Sequence, residues 1–163
     1  MLEYLRELMN YEAWADAEFF RSWKAVADAH SDQDIRTRTD HMVRVQAAFL
    51  TFMKKETYEP PDPNRELLHL PDLLTRSIET HRNWKNFLAS IREENLQQQF
   101  EVAWFKNSPV LPSFLEAITQ VAFHTQGHRA QSLARLRTLG GEKVVLDWIV
   151  WLIKGKPSPQ FPE

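Results

Sequence analysis

Apolar residues recur at threes and fours over most of the chain, and the segments between these patterns are rich in Pro, Asn, Asp or Ser. That rhythm predicts four long helices. The first spans about Leu2 to Ala29, with Leu5, Leu8, Met9, Ala13, Phe20 and Trp23 along its stripe. The second spans about Asp34 to Glu56 and aligns His41, Val45, Ala48, Phe49 and Phe52, a register that sets His41 on the core side. Pro60, Pro61, Pro63 and Pro71 punctuate the stretch that follows, so it is a connector, long enough for a crossover. A third helix runs from about Pro71, which suits a first helical turn, to Glu94, with Leu74, Ile78, His81, Leu88 and Ile91 on one face.

From Leu96 to Pro112 the helical period is lost, and the alternation in Phe100 to Trp104 predicts a short extended piece. Ser113 and Glu116 then form the two ends of a capping box and mark the start of the fourth helix. It carries Ile118, Val121, His124 and His128 and should stop at Gly140-Gly141, where the left-handed conformation costs nothing. A last helix from about Glu142 to Lys154 precedes a tail broken by Pro157, Pro159 and Pro162. The expected fold is all-α, a four-helix bundle with an extra C-terminal helix, in a single domain over residues 1–163.

The composition fits this picture: 163 residues with 43% hydrophobic content suffice for one compact core. Twenty basic and 22 acidic side chains are dispersed along the chain, giving a formal charge of -2, so no basic stripe invites nucleic acid or an anionic membrane. The apolar run Val144 to Ile153 is interrupted by Asp147 and falls short of the roughly 20 residues that span a bilayer. The N-terminal residues lack a signal-peptide core, and a cytoplasmic location is the expectation. With no cysteine, disulfides and thiolate sites are excluded, and any metal must be held by histidine, carboxylate or water.

The feature that suggests chemistry is His124 and His128, four residues apart and so one turn apart on one helical face, a metal-ligand spacing. Thr125 and Gln126 stand between them where a zincin would carry its glutamate, so that peptidase chemistry lacks its general base. Gly127 and Ala130 reduce the bulk around His128 and could admit a ligand or a close helix. A third ligand must come from another helix, and the stripes offer His41 and His81, while His30 and His69 fall in connectors.

The run Asn10-Tyr11-Glu12-Ala13-Trp14-Ala15-Asp16, a histidine early in the second helix and a late His-x3-His-Arg-x-Gln helix ending in glycine together resemble the DinB/YfiT-like metalloprotein superfamily over nearly the whole chain. The resemblance implies an up-down-down-up bundle and a divalent ion, Zn or Ni, held by His41, His124 and His128. His81 then becomes a core or supporting residue, kept as the alternative ligand. Gln120, Gly127 and Ala130 depart from the family's histidines and glycine at those places.

Three imidazoles leave a coordination position for water or substrate. The resemblance therefore implies a metal-dependent enzyme, a transferase or hydrolase acting on a small molecule, with a thiol-dependent S-transferase as its most specific form and a low-molecular-weight thiol as partner. Gln131 and Arg129 are candidates to support a ligand or hold a substrate anion, with Asp40 a weaker one. No catalytic acid or base is assigned. Trp14, Trp84, Trp104, Trp148 and Trp151 serve either a pocket or the core. Trp148, Ile149, Trp151 and Leu152 cover several sides of a short helix, which predicts a homodimer contact. The alternative is a non-catalytic metal-binding or dimeric interaction bundle in stress response.

Overall fold

The periodic segments are helical in the computed structural model, which describes residues 1–105 and 107–163. Four long helices, α1 (Leu2–Lys24), α2 (Gln33–Met53), α3 (Leu70–Ser90) and α4 (Phe114–Thr138), are followed by a short α5 (Trp148–Ile153). Two apolar clusters reveal how they run. Leu2 and Leu5 of α1, Phe49 and Phe52 of α2, Trp84 and Leu88 of α3, and Phe114 and Ile118 of α4 pack at one end. Phe19, Phe20 and Trp23 of α1 pack at the other with Ile35 of α2, Leu73 of α3 and Leu136 of α4. Thus α2 and α3 descend where α1 and α4 ascend, the up-down-down-up order. Parallel neighbours cannot be joined by a tight turn, which is why residues 54–69 form a crossover.

α1 is shorter than its periodicity suggests. Val26 takes an extended conformation (φ -113°, ψ 91°), and a turn of 3₁₀ helix follows at Ala27–Ala29. The Trp23 indole donates to the Ala29 carbonyl at 2.8 Å, folding the chain back under the bundle end. The last helix is shorter too: residues 142–147 are not helical, because the Leu146 carbonyl accepts the Tyr11 hydroxyl and lays this stretch along α1. The predicted extended piece reduces to one antiparallel bridge, Gln99 with Ser113, and residues Ala103–Phe105 form a 3₁₀ turn instead.

α5 packs Trp151 against Tyr11, Trp14 and Ala15, and the tail continues along α1 until Phe161 lies 5.9 Å from the His81 ring. This outer cover explains why α1 is buried on every side from Tyr11 to Ala17. No described helix is long and apolar enough to cross a membrane.

α4 begins and ends on side-chain chemistry. Ser113 Oγ accepts from the Glu116 amide, and Glu116 Oε2 accepts from the Ser113 amide at 2.8 Å, closing the capping box. At the far end Gly140 takes φ +91°, and the Gly141 amide reaches the Leu136 carbonyl at 3.0 Å, a Schellman closure. A Cβ at Gly141 would meet Leu136 Cγ at 2.7 Å, so that glycine is required by space as well. The Ser113→Ala variant should lose about 1 kcal/mol of unfolding free energy, seen as a lower urea midpoint at unchanged slope.

Candidate metal centre

Between the two apolar ends lies a polar layer to which every long helix contributes. Glu12 and Asp16 come from α1, Gln46 from α2, His81 from α3, and Thr125 and Arg129 from α4, all buried. Arg129 donates to Asp16 Oδ1 at 2.7 Å and to Glu12 Oε2 at 2.9 Å. His81 Nε2 lies 2.8 Å from Asp16 Oδ2, and Gln46 Nε2 donates to both Asp16 and the Thr125 hydroxyl. Burial by itself would raise the Asp16 pKa, but Arg129 and His81 outweigh it and hold the carboxyl below its ordinary range. Burial prevails at Glu12 and raises it. Burial would lower Arg129, yet the two carboxylates raise it instead, so the guanidinium stays charged. Because Asp16 is ionised it only accepts, and His81 must carry its proton on Nε2.

This layer sets the rotation of α4, and with it the histidines. A turn of about 100° per residue separates the inward face of Thr125 and Arg129 from that of His124 and His128, which are therefore half-buried on the seam with α2. α2 runs antiparallel to α4 there and brings His41 opposite them. One ring nitrogen from each of His41, His124 and His128 lies within 4.8 Å of the other two, and no carboxylate belongs to the group. The Nε2 atoms of His41 and His124 are 3.0 Å apart, and the ring centroids of His124 and His128 are 4.4 Å apart.

Burial lowers the pKa of His41, helped by His128 and Arg44. Burial, with His128 and His41 adding to it, pushes His124 down to about 4. Neutral imidazoles with converging lone pairs are what a divalent ion needs, and this nitrogen set fits Zn or Ni better than Mg or Ca. The Nδ1 atoms of His124 and His128 are buried without a hydrogen-bond partner among the described residues, so no carboxylate orients these rings from behind.

The other candidates are elsewhere. His81 belongs to the polar layer, paired with Asp16 and outside the triad. Arg129 is 2% exposed and committed to the two carboxylates, which leaves it no route to a substrate anion in this arrangement. Gln131 is exposed on α4, and His30 and His69 lie off the seam as solvated side chains. Gly127 meets no neighbouring helix; a Cβ there would point into open space. Trp84 is core, Trp14 packs against Trp151 of α5, and Trp104 packs against Phe49, Phe52 and Tyr58.

Two arginines absent from the sequence reading adjoin the triad. A cavity of about 320 Å³ is lined by His41, Asp40, Arg44 and Arg65 among others. Asp40, itself buried, accepts from Arg44 at 2.8 Å and pairs with Arg65. Arg44 could have been found by its spacing three residues after His41; Arg65 lies in the crossover, which carries no period.

A family model described as the DinB superfamily matches residues 21–132, more than half of the chain, and the chain belongs to that superfamily. No curated protein and no solved structure matches it.

The pKa directions set a pH dependence for the metal-free protein. His124 titrates near 6.5 when unfolded and at about 4 when folded, so between those values the unfolded chain binds more protons. Stability is therefore full above pH 6.5 and falls as pH drops toward 4. Urea midpoints across this window should decline with falling pH, and His124→Gln should make the decline shallower.

Proposed function

We propose that this DinB-superfamily protein is a divalent-metal-dependent enzyme acting on a small molecule, with His41, His124 and His128 as the metal ligands. The observation that carries the reading is the convergence of three imidazole nitrogens within 4.8 Å on a half-buried seam. A Zn or Ni ion held by three imidazoles keeps an open position where a bound water or thiol becomes more acidic.

Within that reading we favour an S-transfer in which a low-molecular-weight thiol is the nucleophile. Its sulfur bonds to an electrophilic carbon, the leaving group departs with the bonding pair, and the thiol proton passes to solvent. The chain has no cysteine to compete for the metal or the electrophile. Arg44 and Arg65 beside His41 suit the carboxylate of such a thiol, their charge shared with the buried Asp40 and with the exposed Asp62 of the same lining. The crossover supplies Pro61 and Pro63 to the same cavity, a stiff wall that limits solvent access to His41.

Elemental analysis of purified and reconstituted protein should find close to one divalent ion per chain. His41→Ala and His128→Ala should each lower the affinity at least tenfold, whereas His81→Ala should retain the ion. A parent that takes up no ion, or an ion lost in His81→Ala and kept in His41→Ala, would sink the assignment.

A second reading, an interaction bundle acting as a homodimer, is favoured by one surface. Tyr4, Ile149 and Ile153 are 55%, 58% and 79% exposed; Ile149 and Ile153 lie one turn apart on α5, and Tyr4 stands beside Trp148 at the start of that helix. Light scattering at micromolar concentration should give twice the 19.2 kDa chain mass, and Ile149→Asp with Ile153→Asp should return it to the monomer value. A parent that scatters as a monomer excludes this contact.

A further inference from the structure

The α2 and α4 seam opens a second time, beyond the triad. A cavity of about 410 Å³ is lined by Phe49 of α2, Ala117 and Gln120 of α4, and Phe105, Val110 and Leu111 of the segment preceding α4. This volume is of the size that holds small ligands.

Helix geometry ties it to the histidines. At 100° per residue, Ala117 and Gln120 lie within about 40° of His124 around α4, and at 1.5 Å rise they are about 10 Å and 6 Å along the axis from it. Phe49 follows His41 by eight residues on the antiparallel helix, which displaces it in the same direction, by about 12 Å. The cavity thus continues the stripe that carries the triad.

Its chemistry differs from that of the arginine-lined cavity. Phe105, Val110 and Leu111 are 66%, 69% and 39% exposed, although each lines a space that apolar matter could fill. Phe49 and Ala117 form a buried apolar floor. Glu101 and Glu116 also belong to the lining, so a carboxylate placed there would meet like charge. A protein partner would need a broad surface, whereas this is a small recess one to two helical turns from three converging imidazoles.

We infer that this cavity receives the uncharged alkyl or aryl portion of the substrate, whose reacting end stands at His41, His124 and His128. The inference rests on the metal reading above and adds a specificity element to it: selection by apolar bulk, through Phe49, Ala117, Val110 and Leu111.

The test uses the full chain reconstituted with Co(II) and a series of probes, ethanethiol to pentanethiol and 5-mercaptopentanoate, under anaerobic conditions. Binding is read from the sulfur-to-cobalt charge-transfer band. Affinity should rise about threefold to fourfold per added methylene among the alkanethiols, whereas 5-mercaptopentanoate, its carboxylate drawn to Arg44 and Arg65, should fall outside the series. Val110→Asp combined with Leu111→Asp, at exposed positions, should flatten the series while leaving the cobalt spectrum and ethanethiol affinity unchanged. If cobalt and ethanethiol bind but chain length has no effect, or the double variant keeps the slope, the cavity assignment is overturned and the metal reading survives. If the parent takes up no cobalt, both fall.

Discussion

A buried guanidinium charge cannot be left unpaired, and the arrangement of this bundle follows from how Arg129 pairs through Nη1. It reaches across the core from α4 to two carboxylates one turn apart on α1, and Asp16 in turn takes His81 from α3 and Gln46 from α2. Such a network is not evidence of great stability, since desolvation offsets much of the attraction. Its effect is on alternatives. Rotating α4 by one residue would carry the guanidinium out of the core and leave Glu12 and Asp16 buried without it, at a cost of about 3–5 kcal/mol. Apolar side chains alone would tolerate several registers at that level, so the polar layer selects one.

That selection is what brings the three imidazoles together on the seam. Arg129 follows His128 directly, so fixing one side chain inward fixes the other about 100° away, toward α2. The long crossover is the second requirement, because it makes α2 parallel to α3 and antiparallel to α4 and so presents His41 at the height of His124 and His128. The apolar clusters at the two ends hold the helices together, and the polar layer between them determines how they are turned.

Much of this was legible in the residues. The 3.6-residue period located four helices, Ser113 and Glu116 marked the start of α4, and Gly140-Gly141 marked its end. The convergence of the histidines was legible only in part: spacing pairs His124 with His128, but periodicity placed both His41 and His81 on apolar stripes. Choosing between them depends on which helices are neighbours, a long-range property that no local pattern encodes. The same limit concealed the role of Arg129. An arginine beside a histidine reads as a surface or substrate residue, and its burial becomes expected only once Glu12 and Asp16, one turn apart on α1, are seen to face it. Residues 142–147 misled in the opposite way. Val144, Val145 and Leu146 extend the apolar run of α5, yet the segment is exposed or half-buried, and the Leu146 carbonyl accepts the Tyr11 hydroxyl outside any helix.

The two cavities beside the triad differ in chemistry, as a two-part substrate of the kind proposed above would require. On one side Arg44 of α2 meets Arg65 of a crossover stiffened by prolines, with the buried Asp40 between them and the exposed Asp62 in the same lining. On the other, apolar side chains of an irregular segment stand over an apolar floor. Both walls are connectors, whereas the histidines belong to long helices locked in rotation by the layer beneath them. A site built this way can change what it accepts by substitution in residues 54–69 or 101–112 without disturbing the imidazoles. The same division accounts for the half-burial of the triad: deeper, it would merge with the polar layer and lose access, and farther out its rings would be solvated and readily protonated.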